Sequence, residues 1–193
     1  MCRAVGQASA IHRSLAMLLG AKEHKKGIKQ MIQVKETTIA DIPNVQRLWA
    51  DGDVMKFVGF PEGLQETDEA MQAWFRQLVQ NRPASNHYSI YEDGTYCGEA
   101  SYSLDREYGS ASLDIKLFGC ARGRGIAAQA LSHAMEEAFR QGAKTVWVDP
   151  APENAKAIAL YERLGFQVKE MPVHVILAGE DPASYVYMEL SRP

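Results

Sequence analysis

The chain has 193 residues, of which 46% are hydrophobic and 23% charged, and its net charge is −3. This composition is typical of a globular domain that can bury a full core, and no run of 18 apolar residues exists, so we expect no membrane span. Three scattered cysteines and five histidines without ligand spacing predict a reduced, cytoplasmic protein that has neither a disulfide framework nor a bound metal.

The charge is unevenly distributed along the chain. Residues 1–30 contain six basic residues and one acidic residue, so residues 31–193 carry a net charge of −8. A negative domain does not suit binding to nucleic acid, whose phosphates are also negative. It suits a cationic ligand attracted by weak electrostatic steering, although the same charge serves solubility alone.

Residues 1–30 are predicted to be an N-terminal extension of one domain that covers residues 31–193. Ile11, Leu15 and Leu18 recur at helical spacing, and a basic segment follows them. An accessory helix or a non-native upstream segment explains this pattern, and a transit peptide is the alternative.

The first half of the domain is predicted to hold a strand, two helices and a hairpin. Asp41 or Thr38 is expected to cap the first helix, and Asp93-Gly94 between alternating apolar runs is a strong hairpin signal. The predicted elements are a strand at 32–38, a helix covering Val45 to Trp49, a loop at 51–63, a helix from Thr67, and strands at 88–91 and 96–104.

The second half is predicted to alternate strands and helices. The expected elements are a strand at 111–118, a helix from Ile126, a strand at Thr145–Val148, a helix between Asn154 and Gly165, and a last strand at 184–190. Val173–Leu177 is expected to be a short additional strand or the end of the sixth. The order is therefore β–α–α–β–β–β–α–β–α–β–β.

A glycine-rich turn, Arg122-Gly123-Arg124-Gly125-Ile126-Ala127, lies between the predicted strand at 111–118 and the following helix. Such a turn directs free backbone N–H groups and the positive end of the helix dipole at one spot, which is how proteins bind phosphate groups. The chain contains no nucleotide P-loop string, and the turn lacks the acidic residue that a dinucleotide fingerprint places about 20 residues further on.

Two motifs together resemble one enzyme family. The turn matches Q/R-x-x-G-x-G/A, and Asn154 to Phe166 reads N-x-x-A-I-x-x-Y-x-x-x-G-F, in the same order as in the GCN5-related N-acetyltransferases (GNAT). Residues Asn154, Ala157 and Tyr161 share one helix face. The resemblance covers roughly residues 31–193 and implies an α/β (α+β) fold. Its central sheet is mixed, mostly antiparallel, six- to seven-stranded and splayed at strands 4/5, with helices on both faces.

The resemblance also implies a cofactor, acetyl-coenzyme A, and its contacts. The open edge of the fourth strand would pair with the pantetheine arm and polarise the thioester carbonyl, the glycine turn would bind the pyrophosphate, and Tyr161 would act as general acid beside the sulfur. The implied cofactor-binding residues are Leu117, Phe118, Gly119, Arg122, Gly123, Arg124, Gly125, Ile126, Ala127, Asn154, Ala157 and Tyr161.

Carboxylates on three strands are candidates for the general base. Asp114 lies on the strand at 111–118, Asp149 ends the next strand, and Glu99 on the preceding strand is a third candidate. Two carboxylates at adjacent strand ends suit an ammonium group that must lose a proton. Either aspartate could instead be structural, Asp114 through a pair with Lys116 or Arg106. A one-residue slip on the strand would turn Asp114 to the other face.

A narrower resemblance rests on Gly98-Glu99-Ala100 of the third strand, the aspartate of the fourth strand, and the string D-P-x-P-x-N-x-x-A-I-x-x-Y-E-x-x-G-F that begins at Asp149. This set is similar to that of aminoglycoside 6′-N-acetyltransferases, and its features recur in ribosomal-protein N-acetyltransferases. It implies direct attack, in a ternary complex, by the primary amine of a small molecule or of a protein N-terminus. A catalytically silent acyl-CoA-binding sensor or scaffold is the alternative function. We expect neither nucleic acid nor membrane as a partner and leave a homodimer open, since acceptor loops follow no portable code.

Overall fold

The computed structural model describes residues 31–192, and these residues form one seven-stranded sheet with helices on both faces. The strands are β1 (Ile32–Glu36), β2 (Ser85–Glu92), β3 (Thr95–Asp105), β4 (Ser110–Leu117), β5 (Thr145–Val148), β6 (Gln167–Val168) and β7 (Met188–Ser191). The helices are α1 (Ile42–Trp49), α2 (Gly52–Met55), α3 (Asp68–Asn81), α4 (Ile126–Arg140), α5 (Ala155–Arg163) and α6 (Val173–Leu177). The predicted helix within residues 1–30 lies outside the described residues, and the domain division stays a prediction.

The sheet has the order β1-β2-β3-β4-β5-β7-β6 and is antiparallel except between β4 and β5. These two strands pair only from Ser110 with Thr145 to Ser112 with Trp147. Beyond that point β4 continues to Leu117 without pairing to β5, which remains paired with β7 on its other side. The two strands β4 and β5 therefore separate. The predicted fold class, a mixed and mostly antiparallel sheet, is confirmed, and the strand split lies where it was expected.

Each face of the sheet has its own apolar core. Helix α4 begins at Ile126 and buries a face of Ala130, Leu131, Ala134 and Ala138, whose spacing is helical, against side chains of β2, β3 and β4. Helices α1, α2 and α3 cover the opposite face with a second cluster, which includes Val45, Leu48 and Met71. The face under α1 and α3 also buries polar side chains, some of which belong to the charge network described with the candidate active site.

Three predicted elements were wrong in detail. The expected loop at 51–63 contains α2, because the Asp51 side chain accepts hydrogen bonds from the Asp53 and Val54 N–H groups and so caps a helical turn. Val173–Leu177 is α6 and not a strand: Pro172 precedes its first turn, and Val175 packs into a small cluster with Met171 and Tyr187.

The last strand begins at Met188, because residues 181–184 form a turn that interrupts the predicted run at 184–190. The Asp181 side chain accepts hydrogen bonds from the Ala183 N–H and the Ser184 hydroxyl, at 2.9 and 2.6 Å. Within residues 31–192, no helix is long and apolar enough to cross a lipid bilayer.

Candidate active site at the split between two strands

The open edge of β4 presents a peptide N–H near its end. The Phe118 N–H donates to the Cys97 carbonyl of β3 at 3.0 Å. Because peptide groups alternate in direction along a strand, the Leu117 N–H faces the opposite way, toward the split. The Leu117 carbonyl on that side accepts from Arg122 Nε at 3.0 Å. Of the three residues predicted at this edge, Leu117 therefore offers the N–H donor and Phe118 does not.

The glycine turn has the geometry of an anion cradle. Gly123 and Gly125 have φ values of 74° and 79°, a region that favours glycine, and a Cβ at either position would meet no atom within 4 Å. Gly125 is the N-cap of the 15-residue helix α4, where no side chain caps the helix and no acidic residue lies in the first turn. The N–H groups of Ile126 and Ala127 thus lack an intrahelical acceptor and suit a phosphate.

The two arginine side chains of the turn are engaged by protein groups. Arg122 bridges the end of β4 to the Asp53 carbonyl, which its guanidinium contacts at 3.1 Å, so it ties α2 to the strand split. Arg124 forms an ion pair of 2.6 Å with buried Glu92. The predicted contacts of these guanidinium groups with phosphate stay predictions. It is the free backbone N–H groups at the start of α4 that suit this turn to a phosphate group.

Helix α5 carries two of the predicted site residues, Asn154 at its N-cap and Tyr161 in its second half. The Asn154 side-chain oxygen caps the helix by accepting from the Ala157 N–H at 3.3 Å, as its position predicts, and its amide NH₂ makes no hydrogen bond within residues 31–192. Tyr161 is buried nearly two turns later, and its ring packs against Phe166 with centroids 5.8 Å apart.

Tyr161 lies close enough to both predicted aspartates for their charges to affect the pKa of its hydroxyl. Burial raises the pKa of its hydroxyl above the ordinary value, and the negative charges of Asp114 and Asp149 raise it further. The hydroxyl therefore remains protonated at neutral pH and is a hydrogen-bond donor. It makes no hydrogen bond to another described residue, so this donor is free for a ligand.

The carboxyl group of Asp149 titrates above the ordinary range of an aspartate. Burial raises the pKa of its carboxyl group to about 7, with further contributions from a hydrogen bond and charge repulsion with Glu180 and from the charge of Asp114. Glu180 follows α6, and the sequence analysis missed it. No local motif marks Glu180; only the path of the chain after α6 brings it to Asp149.

Asp114 lies on the same face of the sheet as Glu99, opposite to the buried side chains of Leu113 and Leu117. One carboxylate oxygen accepts from the Ile115 N–H at 2.8 Å, and the other accepts from Lys116. Its side chain is 47% exposed. The strand β4 keeps a continuous register with β3, and the register shift falls between β2 and β3, so no slip within β4 changes the face of the sheet on which Asp114 lies.

Glu99 is buried beneath the helices and not at the split. Its oxygens lie 2.9 Å from Trp49 Nε1, 3.1 Å from His87 Nε2 and 3.5 Å from Lys116 Nζ. Burial alone would raise the pKa of this carboxyl, but the charges of His87 and Lys116 and hydrogen bonds lower it to about 2. A carboxylate so enclosed is a poor proton acceptor. The described residues contain no cluster of three or more metal-binding side chains.

Comparisons with known proteins agree with this geometry. A family model described as an acetyltransferase (GNAT) domain matches residues 32–167. Spermidine N-acetyltransferase from Vibrio cholerae, solved with CoA and spermine, has a TM-score of 0.67 and 17% identity over 83% of this chain and 95% of its own.

Two further solved structures have similar folds. The ribosomal-protein-alanine N-acetyltransferase from Brucella melitensis has a TM-score of 0.63 and 21% identity, over 83% of this chain and 99% of its own. An aminoglycoside acetyltransferase solved with coenzyme A has a TM-score of 0.66 and 18% identity, over 84% of this chain and 95% of its own. At these identities the likeness is one of fold.

Proposed function

Because this chain belongs to the acetyltransferase (GNAT) family, it is an acetyl-CoA-dependent N-acetyltransferase, and we propose that its acceptor is a cationic primary amine that attacks directly in a ternary complex. The observation that carries this proposal is that the charges of Asp114 and Asp149 both act on the buried Tyr161 hydroxyl, on the part of the sheet where β4 and β5 no longer pair. Elements from several parts of the chain contribute to this arrangement, with Glu180 joining from the segment after α6.

The cofactor-binding part of the proposal uses backbone groups. Acetyl-CoA, when bound, supplies an acetyl group activated as a thioester. The free N–H groups at the start of α4 are suited to its pyrophosphate, and the Leu117 N–H faces the split, where it can donate to a carbonyl oxygen. The Asn154 amide extends this row of donors at the start of α5.

The acceptor part of the proposal uses the carboxylates. An amine with a pKa near 10 arrives as an ammonium group, which the negative charges of Asp114, Asp149 and Glu180 attract. Asp149 is the candidate base, because its raised pKa of about 7 matches proton removal near neutral pH. Lys116 offsets part of the Asp114 charge, but the three carboxylates together still favour an acceptor with more than one positive charge, such as a polyamine or an aminoglycoside, over a protein N-terminus.

The test is release of free thiol from acetyl-CoA in the presence of a panel of amines. The panel holds polyamines, aminoglycosides and peptides with free N-termini, and calorimetry measures acetyl-CoA binding in parallel. We expect turnover to be highest with multiply charged small amines. Tight binding of acetyl-CoA without release for any amine would favour the silent binding module, and turnover confined to the peptides would contradict the proposed acceptor class.

Replacing Tyr161 with phenylalanine is expected to lower kcat by roughly 100-fold or more while the Kd for acetyl-CoA changes less than about twofold. The change removes only the free hydroxyl, so the ring contact with Phe166 is preserved. Tyr187, whose hydroxyl contacts Glu189 at 3.3 Å, provides a matched control, because Tyr187→Phe also removes a buried hydroxyl. Equal turnover in Tyr161→Phe and the native protein would exclude the acid role.

A further inference from the structure

We propose that Lys116 is a positioning residue of the acceptor site, whose ammonium group holds the Asp114 carboxylate at the strand split and offsets its negative charge. The inference rests on the proposed function, since it concerns the same site. It assigns a role to a lysine that neither binds the cofactor nor contacts Tyr161 in the arrangement described above.

Lys116 forms ion pairs with two carboxylates, one buried and one half-exposed. Its ammonium group contacts Asp114 two residues earlier on β4 and Glu99 directly opposite on β3, while only 13% of its side chain is exposed. An ammonium group removed from water needs anionic partners. Burial lowers the pKa of Lys116, but the two carboxylates outweigh burial and raise it above its ordinary value. Lys116 is therefore a permanent cation in this site.

The Glu99 end of this arrangement is fixed by the interior. Glu99 is 3% exposed and is held by Trp49 of α1 and by His87 of β2. The Trp74 ring of α3 packs edge-on against both Trp49 and His87, with centroids 5.0 Å apart in each case. The Glu99 carboxylate thus gives the Lys116 ammonium group a rigid, enclosed partner.

The Asp114 end lies at the split, where its side chain is half-exposed. The Ile115 N–H holds one carboxylate oxygen of Asp114 at 2.8 Å, and the Lys116 ammonium group holds the other, so the two bonds together keep the carboxylate in one orientation. The negative charge of Asp114 also reaches Asp149 and Tyr161, whose pKa values it raises. The positive charge of Lys116 reduces that effect. Among residues 31–192, the titratable side chains whose charges act on Asp149 are Glu180 and Asp114, and Asp149 in turn acts on Tyr161.

A double-mutant cycle separates this role from a general structural one. The kcat/KM for the best amine is measured at pH 9, where Asp149 is ionised, for Lys116→Met, Lys116→Arg, Asp114→Asn and the Lys116→Met/Asp114→Asn pair. We expect about a tenfold loss in Lys116→Met, recovery to within about threefold in Lys116→Arg, and less than a twofold effect of Lys116→Met in the Asp114→Asn background. An equal loss in both backgrounds would overturn the proposal.

A second readout needs no acceptor, so it distinguishes failure of this inference from failure of the proposed function. Carboxyl-carbon NMR follows the titration of Asp149 in the free protein. The titration midpoint is expected to move up by about one pH unit in Lys116→Met and to stay near the native value in Lys116→Arg. An unmoved midpoint in Lys116→Met overturns the inference whether or not any amine is acetylated.

Loss of Lys116 leaves Glu99 with one fewer partner, so the fold is controlled separately. Glu99→Gln/Lys116→Met removes both buried charges together, which avoids an unpaired buried carboxylate. This pair is expected to bind acetyl-CoA within about twofold of the native Kd and still to lose kcat/KM. Native kcat/KM in this pair would contradict the positioning role.

Discussion

Replacing Gly125 with tryptophan is expected to weaken acetyl-CoA binding more than 100-fold, beyond detection in a calorimetric titration at micromolar protein. The space above Gly125 is open, since a Cβ added there would have no atom within 4 Å, and it lies where the free N–H groups of α4 converge. An indole there would occupy the position that a phosphate needs. The positive φ of 79° adds roughly 1–2 kcal/mol of backbone strain.

A matched control separates the effect of filling the phosphate space from the effect of backbone strain. Gly142 follows the other end of α4, has a φ of 108° and also has no atom within 4 Å of an added Cβ. The two glycines are separated by the length of α4, roughly 22 Å at 1.5 Å per residue. Gly142→Trp is therefore expected to lower the melting temperature similarly but to bind acetyl-CoA normally. Undiminished affinity in Gly125→Trp would contradict the location of the phosphate site.

Replacing Asp149 with asparagine is expected to lower kcat/KM for the amine by about 100-fold or more and to abolish the rise of kcat/KM with pH that is centred near 7. The rise has this sign because a base must be deprotonated to accept a proton, and burial with the nearby Glu180 and Asp114 raises the pKa of Asp149 to about 7. The pH profile of kcat/KM for native protein and variant is the measurement. A rise that persists in Asp149→Asn would exclude Asp149 as its origin.

Stability gives the same pKa an independent test. The carboxyl group titrates near 3.9 in an unfolded chain and near 7 in the fold, so the fold retains a proton between these values that the unfolded chain has lost. The stabilising contribution of protonated Asp149 is complete below pH 4 and is lost as the pH rises through 7. The free energy of unfolding of the native protein should therefore fall relative to that of Asp149→Asn over this range.

Glu180→Gln provides the control for the carboxylate pair. It keeps the side-chain length but removes the charge that disfavours ionisation of Asp149. The midpoint of the pH profile is expected to move to lower pH in this variant, while kcat/KM at pH 9 falls only if Glu180 also binds the acceptor. An unchanged midpoint would mean that burial and the charge of Asp114, without Glu180, set the pKa of Asp149.

The family and the fold class were predictable because the informative signals are local. The glycine turn and the helix from Asn154 each consist of adjacent residues whose backbone requirements are read directly from their side chains, and the family prediction drawn from them is confirmed. Hairpin and strand periodicity likewise located most of the sheet. The strand predicted at Val173–Leu177 was wrong because its β-branched composition is overridden by the packing of Val175 with Met171 and Tyr187.

The site was only partly predictable, since its electrostatics depend on distant parts of the chain. The sequence assigned Tyr161 to a helix face, Asp114 to a strand and Asp149 to the end of the neighbouring strand, and their roles remain predictions. It could not assign the aspartates different properties. The tertiary structure gives Asp114 a lysine partner and gives Asp149 a second carboxylate, Glu180, so the two aspartates differ.

The sequence by itself determined the turn that suits phosphate, the capped helix that carries Tyr161, and the negative charge of the domain, because each depends on neighbouring residues or on composition. Only the tertiary structure decided which carboxylate is buried beside another, which is paired with Lys116, and which is enclosed beneath α1 and α3. Charge interactions act through space and change with burial, so residues remote in the sequence set the pKa of each group.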